Sequence, residues 1–247
     1  APAYALDPDR IAAAITPRTR AIILNTPNNP TGRVFSREEL EGVAALCRQH
    51  DLVAITDEIY EHILYEGEHI PMATLDGMRE RTVTVSGASK TFSVTGWRVG
   101  TIVAPPVLTQ AIRMVHDVLT VGAPAPLQEA VATGLTDLGS PYYASLARDY
   151  RARRDVLVPA LQESGFDCLP PQGAYYVLVD FSELSNLDDT AFAHLLTREA
   201  GVTPVPGSSF YSVPERGHTR VRFAFCKRIE TLERAAERLR RFGAAGS

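Results

Sequence analysis

Short runs of apolar residues alternate along the chain with longer segments whose apolar positions recur at helical spacing. Because strands buried on both faces are short and continuously apolar, four runs predict strands: residues 20–24, 52–56, 82–86 and 99–103. After the first run, Ser36 and Glu39 have the spacing of a capping box, which predicts a helix that ends near residue 50. Strands alternating with helices indicate an α/β fold with a mainly parallel sheet.

Beyond residue 105 the pattern changes to long helices followed by alternating strands. Two helices flank a Gly-Ala-Pro-Ala-Pro break, and a charged helix is predicted over about residues 141–164. Residues 173–179 and 219–225 alternate in the manner of antiparallel strands, and residues 230–242 form an amphipathic helix. We therefore expect two domains, a large α/β domain at residues 1–140 and a small C-terminal α+β domain at residues 141–247.

The composition and charge of the chain argue against nucleic-acid and membrane partners. The 247 residues carry a net charge of −4, and this lack of basic excess predicts no nucleic-acid partner. No apolar stretch approaches the ~20 residues needed to cross a bilayer, so no membrane partner is expected. Cys47, Cys168 and Cys226 are widely spaced and match no metal-site pattern, which favours reduced thiols and a cytoplasmic location. The chain does not begin with Met, and we expect that an N-terminal part is missing.

Lys90 follows the third predicted strand, in Ser-Gly-Ala-Ser-Lys-Thr. Sites of α/β proteins usually form at the carboxyl ends of parallel strands, and a lysine among small residues there offers an amine that can attack an aldehyde. Arg98 follows in Thr-Gly-Trp-Arg-Val-Gly and offers a fork of donors suited to phosphate, to which Ser86 and Ser89 add hydroxyls. The alternative is a surface lysine, with Arg98 paired to a surface carboxylate.

Asp57 ends the second predicted strand, and Tyr60 follows three residues later. A carboxylate at a sheet edge can bond a protonated pyridine nitrogen. The alternative is that Asp57 caps a helix beside a partly buried Tyr60. The first strand leads into Asn-Thr-Pro-Asn-Asn-Pro-Thr-Gly, in which two prolines stiffen the loop around Asn29. A rigid amide such as Asn29 can donate to an oxyanion, but a plain loop is also possible.

Arg222 lies on the last predicted strand, in Val-Arg-Phe-Ala-Phe. Its guanidinium suits an α-carboxylate, and the alternative is an exposed arginine on a strand. Because side chains alternate along a strand, Arg220 shares the face of Arg222, and spacing alone does not decide which of the two enters a pocket.

These motifs occur in one order: the N-x-P-x-N-P-T-G loop, D-E-I-Y, S-K-T with T-G-W-R-x-G, and the late R-F-x-F strand. Together they resemble the fold-type I pyridoxal-phosphate (PLP) aminotransferases of class I/II over nearly the whole chain. Residues 25–52 and 210–214 are most similar to the kynurenine, glutamine and methionine aminotransferase branch. The resemblance implies an aspartate aminotransferase-like fold, of which residues 1–140 form the C-terminal part of the large PLP-binding domain.

The resemblance also implies residue roles. Lys90 binds the PLP aldehyde covalently and later moves the α-proton, Asp57 pairs with the pyridine nitrogen, and Asn29 and Tyr60 bond the ring oxygen. Arg98 and Ser89 hold the phosphate, with Ser86 as a second candidate, because Gly87 occupies the position where relatives often carry a serine. Arg222, helped by Asn29, binds the substrate carboxylate.

The function implied is transfer of an amino group from a hydrophobic, aromatic or sulfur-containing amino acid to a 2-oxo acid, in a homodimer. Two alternatives remain open. A PLP-dependent C–S β-lyase would use the same residues, and an inactive truncated form would keep the fold without the reaction. Since the N-terminal part of the family supplies further cofactor and substrate contacts, we expect the free 247-residue chain to bind PLP poorly, expose core surface and be nearly inactive.

Overall fold

The computed structural model describes residues 4–246, which divide into two compact units. The first unit comprises Ala1–Pro27 and Val34–Leu146. Its sheet holds four strands in the order β1 (Ala21–Asn25), β2 (Val53–Asp57), β3 (Thr82–Gly87) and β4 (Gly100–Val103). The first three strands are parallel and β4 runs antiparallel to β3, so the carboxyl ends of β1, β2 and β3 lie at one edge.

Helix α2 (Arg37–Gln49) packs the main core of this unit, and its amino end carries the predicted capping box. The Ser36 hydroxyl accepts the Glu39 amide hydrogen, and the Glu39 carboxylate accepts that of Ser36. Helix α1 (Pro8–Ala14) begins at Asp7, whose side chain accepts two amide hydrogens. The buried apolar residues between α2 and the strands include Leu40, Val43, Leu52 and Met78.

The remaining helices of the first unit leave apolar surface exposed. The short helix α3 (Ala88–Thr91) follows β3, and α4 (Pro106–Leu119) and α5 (Ala125–Asp137) follow β4. Large apolar side chains on β4 and α4 face solvent at exposures of 49–83%: Ile102, Val103, Val107, Met114, Val115, Val118 and Leu119. Such a contiguous apolar set is typical of a surface that is covered in an assembly or by further chain.

The second unit comprises Asn28–Arg33 and Ala147–Ser247. It contains β5 (Tyr176–Asp180), β6 (Val205–Pro206) and β7 (Arg220–Ala224), with β7 in the middle and both neighbours antiparallel to it. Helices α6 (Ser140–Glu163), α7 (Asp189–Glu199) and α8 (Ile229–Gly246) accompany the sheet. Phe181 stacks on Phe192 with ring centres 3.9 Å apart, and both are fully buried.

The segment Asn28–Arg33 belongs to the second unit although it follows β1 in the chain. The Gly32 carbonyl accepts the amide hydrogens of Gln172 and Gly173, and the Arg33 guanidinium donates to the Gln172 side chain at 2.6 Å. Gly32 has φ +70°, and an added Cβ would lie 2.9 Å from the Gly173 carbonyl oxygen. These contacts attach the loop that carries Asn29 to the residues before β5.

The predicted elements agree with the observed ones at most positions. The four early strands, the capped helix, the two antiparallel strands and the long helices are all present, and their ends lie within about four residues of the predicted bounds, the largest difference being the end of the last helix at Gly246. Helices α1 and α7 and the two-residue β6 were not predicted, because their apolar patterns are short. The chain divides between residues 146 and 147, inside α6, whereas the predicted domain boundary lies near its start.

None of the helices described between residues 4 and 246 combines the length and the hydropathy needed to span a bilayer.

Replacing Gly32 by alanine, in the second unit, should lower the free energy of unfolding of the protein more than the same change at Gly67, in the first unit. Both glycines have φ near +70°, but a Cβ at Gly67 meets nothing within 4 Å. The left-handed backbone costs about 1 kcal/mol at either site, and crowding at Gly32 adds about 1–3 kcal/mol. Urea unfolding of the two variants measures the difference, and equal free energies of unfolding would show that Gly32 is not closely packed.

Candidate active site

Asp57 is the last residue of β2, at the edge where the parallel strands end. One oxygen of its half-buried carboxylate accepts the amide hydrogen of Ile59 at 3.2 Å, which turns the chain away from the strand. Tyr60 follows in this turn and is only 3% exposed. The end of β2 thus supplies a carboxylate and a phenol within four residues.

Lys90 lies beside this turn because β3 is the parallel neighbour of β2, with Val85 opposite Asp57. The chain passes from β3 into α3, and Lys90 is the third residue of that helix. Its Nζ lies over the Tyr60 ring, 5.9 Å from the ring centre. The structure therefore brings Lys90 and Tyr60 together, at the edge where Asp57 ends the next strand.

The predicted phosphate-binding residues follow the same turn. Ser89 is buried, and its carbonyl oxygen accepts the Thr95 hydroxyl at 3.1 Å. Arg98 is exposed, has a left-handed backbone with φ +55°, and donates from Nη1 to the Thr95 carbonyl at 3.0 Å. Because Thr95 contacts both residues, it links the two candidate phosphate donors.

Ser86 is less suited to an anion than Ser89. Its hydroxyl donates to the Glu61 carboxylate at 2.5 Å, and a second anion at that place would be repelled. At Gly87 a Cβ would lie 2.9 Å from Gly100 Cα, so the close approach of β3 and β4 leaves no room for a serine there.

A buried polar cluster lies behind Asp57 and was not predicted from the sequence. Glu58, 1% exposed, accepts hydrogen bonds from the Thr56 hydroxyl at 2.8 Å and from His69 Nε2 at 2.7 Å. Glu61 completes a group with Glu58 and His69 whose three ligand atoms lie within 4.8 Å of one another. Glu58 lies within the D-E-I-Y motif, but its spacing to Glu61 and His69 matches no metal-site pattern, and the sequence did not predict that the three side chains meet.

A further group surrounds Arg222 in the second unit. Its Nη1 donates to the Asn29 side-chain oxygen at 2.7 Å. The guanidinium carbon lies 4.1 Å from the centre of the Tyr176 ring and 4.8 Å from that of Phe210. The aromatic neighbours Tyr176 and Phe210 were not predicted from the sequence, since they lie 46 and 12 residues from Arg222 along the chain.

Arg220 has a different environment from Arg222, although the sequence alone could not distinguish the two arginines. It donates to the Tyr211 hydroxyl at 2.5 Å, and its Nε lies 3.6 Å from the Asp180 carboxylate. Burial tends to raise the pKa of Asp180, but hydrogen bonds from Ser182 and Thr219 and the Arg220 charge outweigh it and lower this pKa. Arg220 therefore belongs to a structural ion pair, whereas Arg222 contacts Asn29.

Comparison with known proteins places these residues in a family. Residues 1–239 match the model of aminotransferase class I and II. Human kynurenine–oxoglutarate transaminase 1 is 40% identical, over 97% of this chain and 61% of the relative. Escherichia coli methionine aminotransferase is also 40% identical, over 97% of this chain and 62% of the relative.

The solved structures that this chain resembles belong to the same family. N-succinyldiaminopimelate aminotransferase from Mycobacterium tuberculosis superposes with a TM-score of 0.92 at 41% identity, over 96% of this chain and 62% of that one. The chain belongs to the class I and II aminotransferases and has their aspartate aminotransferase-like fold. It spans about three-fifths of the length of these relatives.

Removing the His69 imidazole should destabilise the first unit strongly. His69→Ala leaves the carboxylate of Glu58 buried without its 2.7 Å partner, which costs about 3 kcal/mol. Urea unfolding measures the loss, and His218→Ala, at an exposed histidine, is the control. Adding Glu58→Gln to His69→Ala should recover part of the stability, and a cost below about 0.5 kcal/mol for His69→Ala would contradict a paired buried charge.

Proposed function

We propose that the protein binds pyridoxal 5′-phosphate through Lys90 and transfers amino groups between amino acids and 2-oxo acids. The observation that carries this proposal is the grouping of an amine, a phenol and a carboxylate at the ends of β2 and β3, with Lys90 Nζ 5.9 Å from the centre of the Tyr60 ring. An aromatic aldehyde that carries a basic ring nitrogen, a hydroxyl and a phosphate matches these donors in kind. Ser89 and Arg98 follow within the same turn of chain.

Bound PLP would supply an aldehyde and a ring that withdraws electrons from the substrate. Lys90 provides the amine that holds the aldehyde, and this amine then carries the proton to and from the substrate Cα. Asp57 keeps a proton on the ring nitrogen by facing it with a negative charge. Tyr60 and Asn29 donate to the ring oxygen, and Ser89 and Arg98 bind the phosphate. Ser86 remains a second candidate that its bond to Glu61 disfavours.

Arg222 and Asn29 bind the α-carboxylate of the substrate in this proposal. Arg222 offers two or more guanidinium hydrogens to a carboxylate in one plane, and its contact with Asn29 orients that plane. Phe210 and Tyr176 add apolar surface next to the carboxylate site. This surface supports a hydrophobic, aromatic or sulfur-containing amino donor. The named relatives differ in substrate, from kynurenine to methionine to N-succinyldiaminopimelate.

Assembly as a homodimer and a cytoplasmic location are also proposed. The family resemblance supports the dimer, and the exposed apolar residues of β4 and α4 provide surface for a contact. Three cysteines without a disulfide agree with a reducing compartment.

The absorbance of added PLP tests the role of Lys90. The chain contains two lysines, Lys90 and Lys227, so each variant leaves a single lysine. Lys90→Ala should abolish the band near the edge of the visible range that PLP shows when it is joined to an amine, and Lys227→Ala should keep it. A band that persists in Lys90→Ala and is lost in Lys227→Ala would overturn the proposal.

Product analysis tests the reaction. With methionine or another hydrophobic amino acid and a 2-oxo acid, the chain should form the matching keto acid together with the aminated acceptor, at a low rate because it spans about three-fifths of its relatives' length. Asp57→Ala should lower this rate by more than about 100-fold, since the ring loses the charge that keeps its nitrogen protonated. Formation of pyruvate and a thiol from a cysteine conjugate, without aminated acceptor, would indicate β-elimination instead.

A further inference from the structure

We infer that Phe210 and Tyr176 are positioning residues that hold the Arg222 guanidinium in a fixed orientation for the substrate carboxylate. This inference rests on the proposed carboxylate-binding role of Arg222 and adds to it two residues that no sequence motif identifies. Both rings lie beneath the guanidinium at cation–π distance, 4.1 Å for Tyr176 and 4.8 Å for Phe210.

The strand register explains the contact with Tyr176. Arg222 lies opposite Leu178 on β5, and Tyr176 lies opposite Ala224. Tyr176 is thus the diagonal neighbour of Arg222 on the same face of the sheet, a position within reach of long and aromatic side chains. Tyr176 is 9% exposed, so the guanidinium packs on a residue that its neighbours hold in place.

Phe210 reaches Arg222 from a tightly held turn. It is the last residue of a short 3-10 helix, Gly207–Phe210, that follows β6. The Ser208 amide donates to the buried Asp189 carboxylate at 2.7 Å, which anchors the turn to α7. At Gly207 a Cβ would lie 2.5 Å from the Arg220 carbonyl oxygen, so the turn is pressed against β7.

The positive charge of Arg222 is not neutralised by a carboxylate of the described residues and is therefore available to an anionic ligand. Among the residues that the structure describes, no carboxylate lies within ion-pair distance of Arg222, and its Nε is enclosed without a hydrogen-bond partner. Arg220, two residues away, has Asp180. Aromatic faces offset part of the cost of enclosing a cation without neutralising it. The guanidinium therefore stays ordered and charged, and a carboxylate that binds it spends less free energy on ordering the side chain.

Binding of an unreactive carboxylate tests the inference. 3-Phenylpropionate has a carboxylate and no amino group, and its Kd is measured by calorimetry on the PLP-loaded protein. Phe210→Leu keeps apolar volume but removes the aromatic face, and it should raise the Kd about 3- to 10-fold. Phe210→Tyr, which keeps an aromatic ring, should have the same Kd as the unsubstituted protein. KM for the amino acid should rise by a similar factor in Phe210→Leu with kcat nearly unchanged, because binding rather than the proton transfer is affected.

Matched variants separate the possible outcomes. Tyr211→Leu removes the neighbouring ring, which contacts Arg220 at 5.9 Å, and should leave the Kd unchanged. Phe210→Met serves as a second test should Phe210→Leu lower the melting temperature. Arg222→Gln should raise the Kd roughly 10- to 100-fold.

Two results would be decisive in opposite ways. If Arg222→Gln binds 3-phenylpropionate with the same Kd as the unsubstituted protein, the proposed function of Arg222 is wrong. If Arg222→Gln weakens binding but Phe210→Leu and Phe210→Met bind as tightly as Phe210→Tyr, Arg222 keeps its role and the positioning inference is wrong.

Discussion

The parallel pairing of β2 with β3 is the constraint on which the candidate site depends. With Asp57 opposite Val85, both strands end at one edge of the sheet, and the residues that follow them must lie side by side. The turn after β2 then supplies Tyr60, and the helix after β3 supplies Lys90. The Nζ of Lys90 lies over the Tyr60 ring. A shift of register by one residue would turn Asp57 to the opposite face, because side chains alternate along a strand.

The polar residues behind this edge hold the turn in place. Glu58 points away from Asp57 on the other face of β2, where it bonds Thr56 and His69. The Glu58 amide donates to the Val85 carbonyl, and Glu61 accepts the Ser86 hydroxyl. These bonds join the segment after β2 to the end of β3. The cluster thus connects the turn that follows Asp57 to the strand that leads to Lys90. None of its members is proposed to contact a ligand.

Much of the fold and part of the site could be predicted from the sequence, for reasons that particular residues make clear. The capping box at Ser36 is local, and its two hydrogen bonds follow from spacing alone. Lys90 and Asp57 could be placed at one edge because parallel strands end together. The choice of Arg222 over Arg220 depends on Asn29 and Asp180, which are 193 and 40 residues away from the arginines they contact, so strand periodicity could not decide it. The pairing of Glu58 with His69 likewise depends on tertiary packing.

Reduction with borohydride in the presence of PLP tests the central claim most directly, because it makes the bond between the aldehyde and an amine permanent even where affinity is low. Peptide mass spectrometry then identifies the labelled residue, and the chain offers two side-chain amines, Lys90 and Lys227. The account predicts that the pyridoxyl group is found on Lys90 and that Asp57→Ala lowers the labelling. Label on Lys227 or on the chain terminus, with Lys90 unmodified, would contradict it.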